Sequence, residues 1–274
     1  MTYSRAFTSP PSGRRALCEK ISTMSTATPP HPVLDRYYGR EVDRDSFVAT
    51  LFDGAARHYD RVGHVLALGS GPHYRLDALK RAGLRKGMKL LDVATGTGQV
   101  ARAAARILGD PGGVVGLDPS AGMLKEARRV HPGPLVRARA EDMPLRDEAF
   151  DMLSMGFALR HVATLETAFA EYRRVLKPGG RLLLLEVSRP RSAVKLWVIR
   201  VYFRRVLPLL IRLATRNPDA PLLMEYYWDT IAKCVPPETI VAALRQTGFA
   251  DVQHHLLFGC LSEYTARKPL RVSS

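Results

Sequence analysis

The chain has 274 residues, enough for one sizeable α/β domain with a cap or insertion. Its 46% hydrophobic content excludes wholesale disorder, and no uninterrupted apolar run approaches the length of a transmembrane span. A formal net charge of +15 favours a polyanionic neighbour, nucleic acid or an anionic membrane surface, without choosing between them. Cys18, Cys234 and Cys260 lie far apart with no CxxC or Cys/His metal spacing, so reduced thiols in a cytoplasmic compartment and no metal site are expected.

Residues 1–32 are rich in Ser, Thr, Pro, Ala and Arg, carry Glu19 as the one acid, and lack the apolar core of a secretory signal. They read as a flexible tail, with Met24 as an alternative start. From Val33 the text becomes structural. Ser46–Tyr59 has helical spacing, the turn Gly69-Ser70-Gly71-Pro72 follows, and His73–Ala82 forms a second helix. Residues 33–86 therefore form an N-terminal helical cap or pack on the flank of the sheet.

Next, strands and helices alternate: Lys89–Val93, Gln99–Leu108, Gly113–Asp118, Ser120–Val130, Leu135–Ala138, Phe150–Met155, Leu165–Leu176 and Arg181–Val187. Alternation of this kind builds a parallel sheet with right-handed crossovers. Lys177-Pro178-Gly179-Gly180 reads as the stop of the preceding helix. Residues 189–236 interrupt the pattern as a cap insertion. Within it Val194–Thr215 mixes Trp197, Val198, Ile199, Tyr202, Phe203 and Leu207 with Lys195, Arg200, Arg204, Arg205 and Arg212, and Arg216 follows. These charges forbid a span, and Pro208 should kink the run. It suits a cap over an apolar substrate or a surface helix on anionic lipid. Pro237–Thr247, Asp251–Leu257 and Leu261–Arg267 read as a helix and a closing antiparallel hairpin, with Thr247-Gly248-Phe249 ending the helix. The total is a seven-stranded, mostly parallel sheet with an antiparallel C-terminal strand and helices on both faces.

The centre of this pattern is Leu90-Leu91-Asp92-Val93-Ala94-Thr95-Gly96-Thr97-Gly98. An apolar strand turns on glycines into a helix, exposing backbone N–H groups to a nucleotide. Gly96-x-Gly98-x-x-Ala101 alone is a weak dinucleotide fingerprint. Asp92 at the strand end could hold a cationic amino group. Asp118 closes the next strand about twenty residues on, the distance of an acid that grips ribose hydroxyls. Acid-x-x-x-Gly-x-Gly, strand, acid resembles the class I S-adenosylmethionine (SAM) methyltransferases, a Rossmann-like fold.

From Phe47 to about Lys268 the chain resembles the ubiquinone/menaquinone C-methyltransferase family. Four segments carry the likeness: Phe52-x6-Tyr59-Asp60, Leu91–Gly98, Gly156-Phe157-Ala158-Leu159-Arg160-His161-Val162, and Arg174–Arg181 running on to Leu185-Glu186. The third, close to the family's F-G-L-R-N-V, is the most specific. The resemblance implies SAM as cofactor, with Asp92, Ala94, Gly96, Thr97 and Gly98 around its methionine and ribose. Asp118 would take the ribose, and Met123, Ala140, Glu141 and Gly156 the remaining contacts. It also implies catalysis by Arg160, His161 and Tyr59 on a lipidic quinol or phenol. Gly156 stands where the family usually has Ser, Arg139 where an Asp or Asn often faces adenine, and His161 where it has Asn. The ending Gly259-Cys260-Leu261-Ser262-Glu263-Tyr264 departs from the family's usual close. His161 is then a base or water-orienter, and Arg160 stabilises the phenolate.

Alternatives are methyl transfer to oxygen or to a phospholipid amine on the same scaffold, nicotinamide-type oxidoreduction, or a silent scaffold. Nucleic-acid methylation is disfavoured, because Ser154-Met155-Gly156-Phe157 replaces the Asn/Asp-Pro-Pro-aromatic signature of base-methylating enzymes. An anionic membrane surface, peripheral to the inner membrane, is the expected partner, with a homodimer left open.

Overall fold

A strand buried along its whole length, such as Leu90–Val93, leaves no face for water. It therefore takes the middle of a parallel sheet with helices on both sides. The computed structural model describes residues 28–66, 69–190, 192–207, 209 and 220–271. The expectations for the tail up to residue 27, the start at Met24, Cys18, the kink at Pro208, and Arg212 and Arg216 lie outside the described residues.

Seven strands form one sheet: β1 Leu90–Val93, β2 Val114–Asp118, β3 Leu135–Arg137, β4 Phe150–Gly156, β5 Leu176–Val187, β6 Ala250–Leu257 and β7 Leu261–Arg267, in the order β3-β2-β1-β4-β5-β7-β6. Strands β3 to β5 pair in parallel, and β7 runs antiparallel to both β5 and β6. The helices are α1 Glu41–Leu66, α2 Gly71–Arg81, α3 Gln99–Leu108, α4 Ala121–Val130, α5 Leu165–Val175, α6 Ala193–Val201, α7 Ala220–Lys233 and α8 Pro237–Gln246. This is the Rossmann-like sheet expected from the alternation.

The strand period of two sorts the core. Leu91, Val93, Leu153, Met155, Leu182 and Leu184 pack on Phe169 and Tyr172 of α5 and Leu244 of α8. Leu90, Met152, Leu183 and Leu185 point the other way, against Leu79 of α2 and Ala101 and Ala104 of α3. A third cluster builds the roof over the carboxyl ends of the strands. It joins Ala55 of α1 to Leu223, Met224, Tyr227 and Trp228 of α7, with Phe203 and Leu207 beyond α6. Two carboxylates of α1 fasten that helix to the sheet loops. Asp53 accepts hydrogen bonds from the Ser120 hydroxyl and from Gly122 N–H at 2.9 Å. Asp60 accepts from the Thr97 hydroxyl and from Gln99 Nε2 at 2.8 Å.

Three details differ from the sequence reading. Residues 28–31, read as part of the tail, are held against the domain: Thr28 N–H donates to Glu166 at 3.0 Å, Val235 N–H to Pro30 O at 2.8 Å, and His31 is buried. The first helix runs from Glu41 to Leu66, beyond the Ser46–Tyr59 spacing. Lys177-Pro178-Gly179-Gly180 is no helix cap. Helix α5 stops at Val175, Leu176 is already extended and pairs with Phe150, and ladder contact resumes with Met152 opposite Arg181. The four residues bulge out of β5, with Gly179 at φ +76°. Mutual backbone hydrogen bonds at 2.9 Å tie Gly179 and Gly180 to Lys268.

That bulge lies at the amino rim of the sheet, where ion pairs gather. Lys177 meets Asp151 at 2.7 Å, Arg271 meets Glu148 at 2.7 Å, and Arg174 reaches both Glu171 and Asp147 at 2.6 Å. The opposite rim, at the strands' carboxyl ends, carries the roof.

Replacing Asp53 and Asp60 together by Ala removes four hydrogen bonds that hold α1 over the sheet loops. Amide exchange across α1 should quicken at least about tenfold, while β1, β4 and β5 keep their protection. Hydrogen-exchange mass spectrometry reads this directly.

Candidate active site

In this strand order the connections run outward one way from β1 and the other way from β4, and at that switch point the loops part into a crevice. A cavity of about 430 Å³ occupies it. Its floor comes from Ala94–Thr97 after β1, Asp118–Ser120 after β2, Arg139–Glu141 after β3 and Met155–Ala158 after β4. Phe52 and Tyr59 of α1 close it from above, and Arg75 of α2, Met123 of α4 and His161 complete the wall.

Backbone conformation shapes the floor. Gly98 is the N-cap of α3 at φ +81°, and a Cβ there would come within 3.2 Å of Val130 and 3.3 Å of Ala127. Gly96 (φ +55°) faces open space on its Cβ side. Its freedom keeps room beside the bend, as close approach of a ligand requires. Two non-glycine residues of the cavity also sit in the left-handed region, Ala94 at φ +52° and Phe157 at φ +61°. Each conformation costs about 1–3 kcal/mol and is held by the surrounding hydrogen bonds.

Asp92 supplies part of that hold. It pairs in register with Ser154 across β1 and β4, so the two side chains share a face of the sheet. The Ser154 hydroxyl donates to one carboxylate oxygen at 2.8 Å and the Thr95 hydroxyl to the other at 2.6 Å. Asp92 is thus buried beneath the cavity, fixing the bend, and does not line the lumen. Asp118 does line it. Its carboxylate accepts Gly96 N–H at 2.8 Å and Ser120 N–H at 2.9 Å, which locks the two loops together. Burial raises both acids to about 6, more than the hydrogen bonds lower them.

Behind the wall lies a buried ion pair. Arg160 donates from Nη1 to Glu186 Oε1 at 2.6 Å and to Phe157 O at 2.7 Å, and from Nε to Thr230 at 3.2 Å; both charged side chains are 1% exposed. The guanidinium carbon sits 4.9 Å from the ring centre of Tyr227, whose hydroxyl is bonded to that of Tyr59. His161 follows Arg160 in the chain and lines the cavity. Its Nδ1 lies 3.1 Å from the Tyr226 hydroxyl, its ring packs edge-on to Phe52, and its Nε2 has no hydrogen-bond partner among the described residues. Burial first, then the cations Arg160, His31 and Arg44, hold its pKa well below the ordinary value, so the imidazole is neutral.

The expected residues therefore divide by position. Ala94, Gly96, Thr97, Asp118, Met123, Ala140, Glu141, Gly156, Tyr59 and His161 meet at the cavity, whereas Asp92 and Arg160 brace it from behind and Gly98, packed against Ala127 and Val130, does not line it. Glu141 also accepts Ala163 N–H at 2.5 Å, steadying the loop that carries His161. Sequence reasoning missed Tyr226 and Tyr227, which sit in the divergent insertion with no recognisable spacing. It also passed over Arg75. The signal there was legible, because Gly71, Arg75, Ala78 and Leu79 share one helix face and three of the four are buried apolar residues.

The ubiE/COQ5 methyltransferase family model matches residues 40–268. The chain is 35% identical over 214 residues to the ubiquinone/menaquinone biosynthesis C-methyltransferase UbiE of Shewanella halifaxensis, covering 76% of this chain and 84% of that one. The protein of the same description from Hahella chejuensis is 31% identical over 234 residues, covering 82% and 93%. Among solved structures, a SAM-dependent methyltransferase from Thermotoga maritima, described as a possible histamine N-methyltransferase, superposes with a TM-score of 0.57. It is 20% identical and covers 80% of this chain and 99% of that one. At that identity the likeness is one of fold.

The raised acids generate a pH test. Asp92 and Asp118 keep their protons to about pH 6 when folded, whereas an unfolded carboxyl loses its proton near 4. Their contribution to stability is complete below about pH 4 and is lost as the pH rises through 6. Relative to Asp92→Asn, the ligand-free wild type should lose about 2 kcal/mol between pH 4 and pH 7, at roughly 1.4 kcal/mol per pKa unit. Urea unfolding of both proteins at the two pH values checks it.

Proposed function

The chain belongs to the ubiE/COQ5 methyltransferase family and is a SAM-dependent methyltransferase, and from that premise we propose that it C-methylates a lipidic quinol or phenol. One observation carries the reading: a single cavity joins a glycine bend and a ribose-type acid to a neutral histidine and the rings of Phe52, Tyr59 and Phe157. The donor end fits SAM on the structure itself. Gly96 leaves open space beside the bend, Asp118 faces the lumen, and Met123, Ala140 and Glu141 line the far side, as an adenosine requires. When bound, SAM supplies an electrophilic methyl carbon on a sulfonium.

The chain's own residues do the rest. Phe52, Tyr59 and Phe157 line the cavity with His161, and Tyr226 and Tyr227 back the imidazole, a setting that suits a flat apolar acceptor with water excluded. A ring carbon becomes nucleophilic when the neighbouring hydroxyl loses its proton. With Nδ1–H donating to the Tyr226 oxygen, His161 presents a bare Nε2 that accepts that proton. Arg160, held by Glu186, lends positive field through Tyr227 and Tyr59 to the oxygen that becomes negative. It is a positioning residue, because its guanidinium is committed to partners behind the wall.

The exposed surface supports a membrane-facing orientation. Val194, Trp197 and Val198 lie at helical spacing on one face of α6 and are 72%, 64% and 51% exposed. Phe258, at the tip of the β6–β7 hairpin, is 82% exposed, and its neighbour Gly259 abuts Lys195. Lys195, Arg200, Arg204 and Arg205 belong to the same stretch, and all of it stands at the strands' carboxyl rim with the cavity. Such a face suits shallow insertion into anionic lipid. Among the described residues no helix is long and apolar enough to cross a membrane.

Two outcomes are expected. Labelled SAM with a panel of polyprenylated quinols, phenols and phospholipids should label a ring carbon; label on oxygen or on a phospholipid amine would move the reading to those acceptors. His161→Ala should then lower turnover by about 10²–10⁴-fold, and full turnover with an unchanged pH profile would remove it from the mechanism. Separately, charge reversal at Arg200, Arg204 and Arg205 should abolish cosedimentation with phosphatidylglycerol vesicles at moderate salt. Binding that survives reversal sinks the membrane reading.

A further inference from the structure

Arg75 is an arginine without an anion. It lies on the buried face of α2, with its guanidinium carbon 5.5 Å from the ring centre of Phe157, and it lines the cavity. Among the described residues it forms no ion pair and no hydrogen bond. The carboxylates whose field it feels most are Asp60 and Asp92. Both are already committed: Asp60 to Thr97 and Gln99, Asp92 to Thr95 and Ser154. A half-buried guanidinium keeps its charge and presents five donors in a fixed fork, whose natural complement is a carboxylate received in bidentate fashion. The structure therefore holds a fork ready at the cavity wall with no acceptor of its own.

The cavity is also polar in a directional sense. Near the bend it sets Arg75 above the buried acid Asp92, whereas on the adenosine side it presents Asp118 and Glu141, with Arg139 paired to Glu141 at 3.6 Å. A ligand with a zwitterionic amino-acid end and a hydroxyl-bearing end matches that arrangement in one orientation. We propose that Arg75 is the counter-ion of the carboxylate at the amino-acid end of SAM and so fixes which way the donor lies. The proposal rests on the cavity being the SAM site.

Titration calorimetry on the full-length protein tests it, with SAM and decarboxylated SAM as the two probes. Wild type should bind SAM about 10- to 100-fold more tightly than its decarboxylated analogue, the range of one charge-assisted bidentate contact. Arg75→Gln should lose that preference by weakening for SAM alone, and Arg75→Lys should keep part of it. A wild type with no preference overturns the proposal, as does a glutamine variant that retains it. Equal loss of both probes in the glutamine and lysine variants also overturns it, since a carboxylate counter-ion touches one probe and not the other. If wild type binds neither probe, the assignment of the cavity to SAM falls first, and that outcome is distinct from the others.

Discussion

A guanidinium and a carboxylate taken out of water together hold the cavity side of this molecule in place. Arg160 comes from the loop after β4, Glu186 from the end of β5, and Thr230, which receives the third contact, from α7. Removing such charges from solvent costs several kcal/mol apiece, and the pair is supported because Nε and Nη1 of the arginine and both carboxylate oxygens find partners. The carbonyl of Phe157 is one of those partners, so the same pair also secures a residue in the left-handed region. Through Tyr227 the arginine reaches Tyr59 of α1. Sheet, insertion and roof thus meet on one charge.

The carboxylates of the site serve three different ends, and burial decides which. Asp92 and Asp118 lie deep enough to be raised to about 6, and both use their oxygens to hold backbone or hydroxyl groups of the glycine bend. Asp53 and Asp60 are exposed on α1 and fasten the roof at its edge. Glu141 lines the lumen and also supports the histidine loop from below. A motif acid is thus a structural brace first, and a ligand contact only where its position also opens on the cavity.

Much of this was legible in the chain. The strand-helix alternation gave the sheet because each strand is short, apolar and bounded by turn residues, and period-two burial then follows. The bend at Gly96 and Gly98 and the acid Asp118 were readable, because their chemistry is local to one strand-loop-helix unit. What could not be read depends on distant packing. Whether Arg160 would face the lumen or turn behind the wall depends on Glu186 and Thr230, 26 and 70 residues away in the chain. The bulge at Lys177–Gly180 looked like a helix stop because Pro-Gly-Gly breaks helices. Its actual register depends on Phe150, Met152 and Lys268, which no local pattern specifies.

The two rims of the sheet have divided their duties, and this bears on how the protein can be altered. Around Glu148, Asp151, Arg174, Lys177, Lys268 and Arg271, a mesh of ion pairs stitches the chain after β7 to the entry of β4 and β5, far from the cavity. The other rim carries Ala94 and Phe157 in costly conformations. An engineer seeking heat tolerance can work on the stitched edge with little disturbance of the cavity, while drift along the cavity edge draws on a reserve held elsewhere in the molecule.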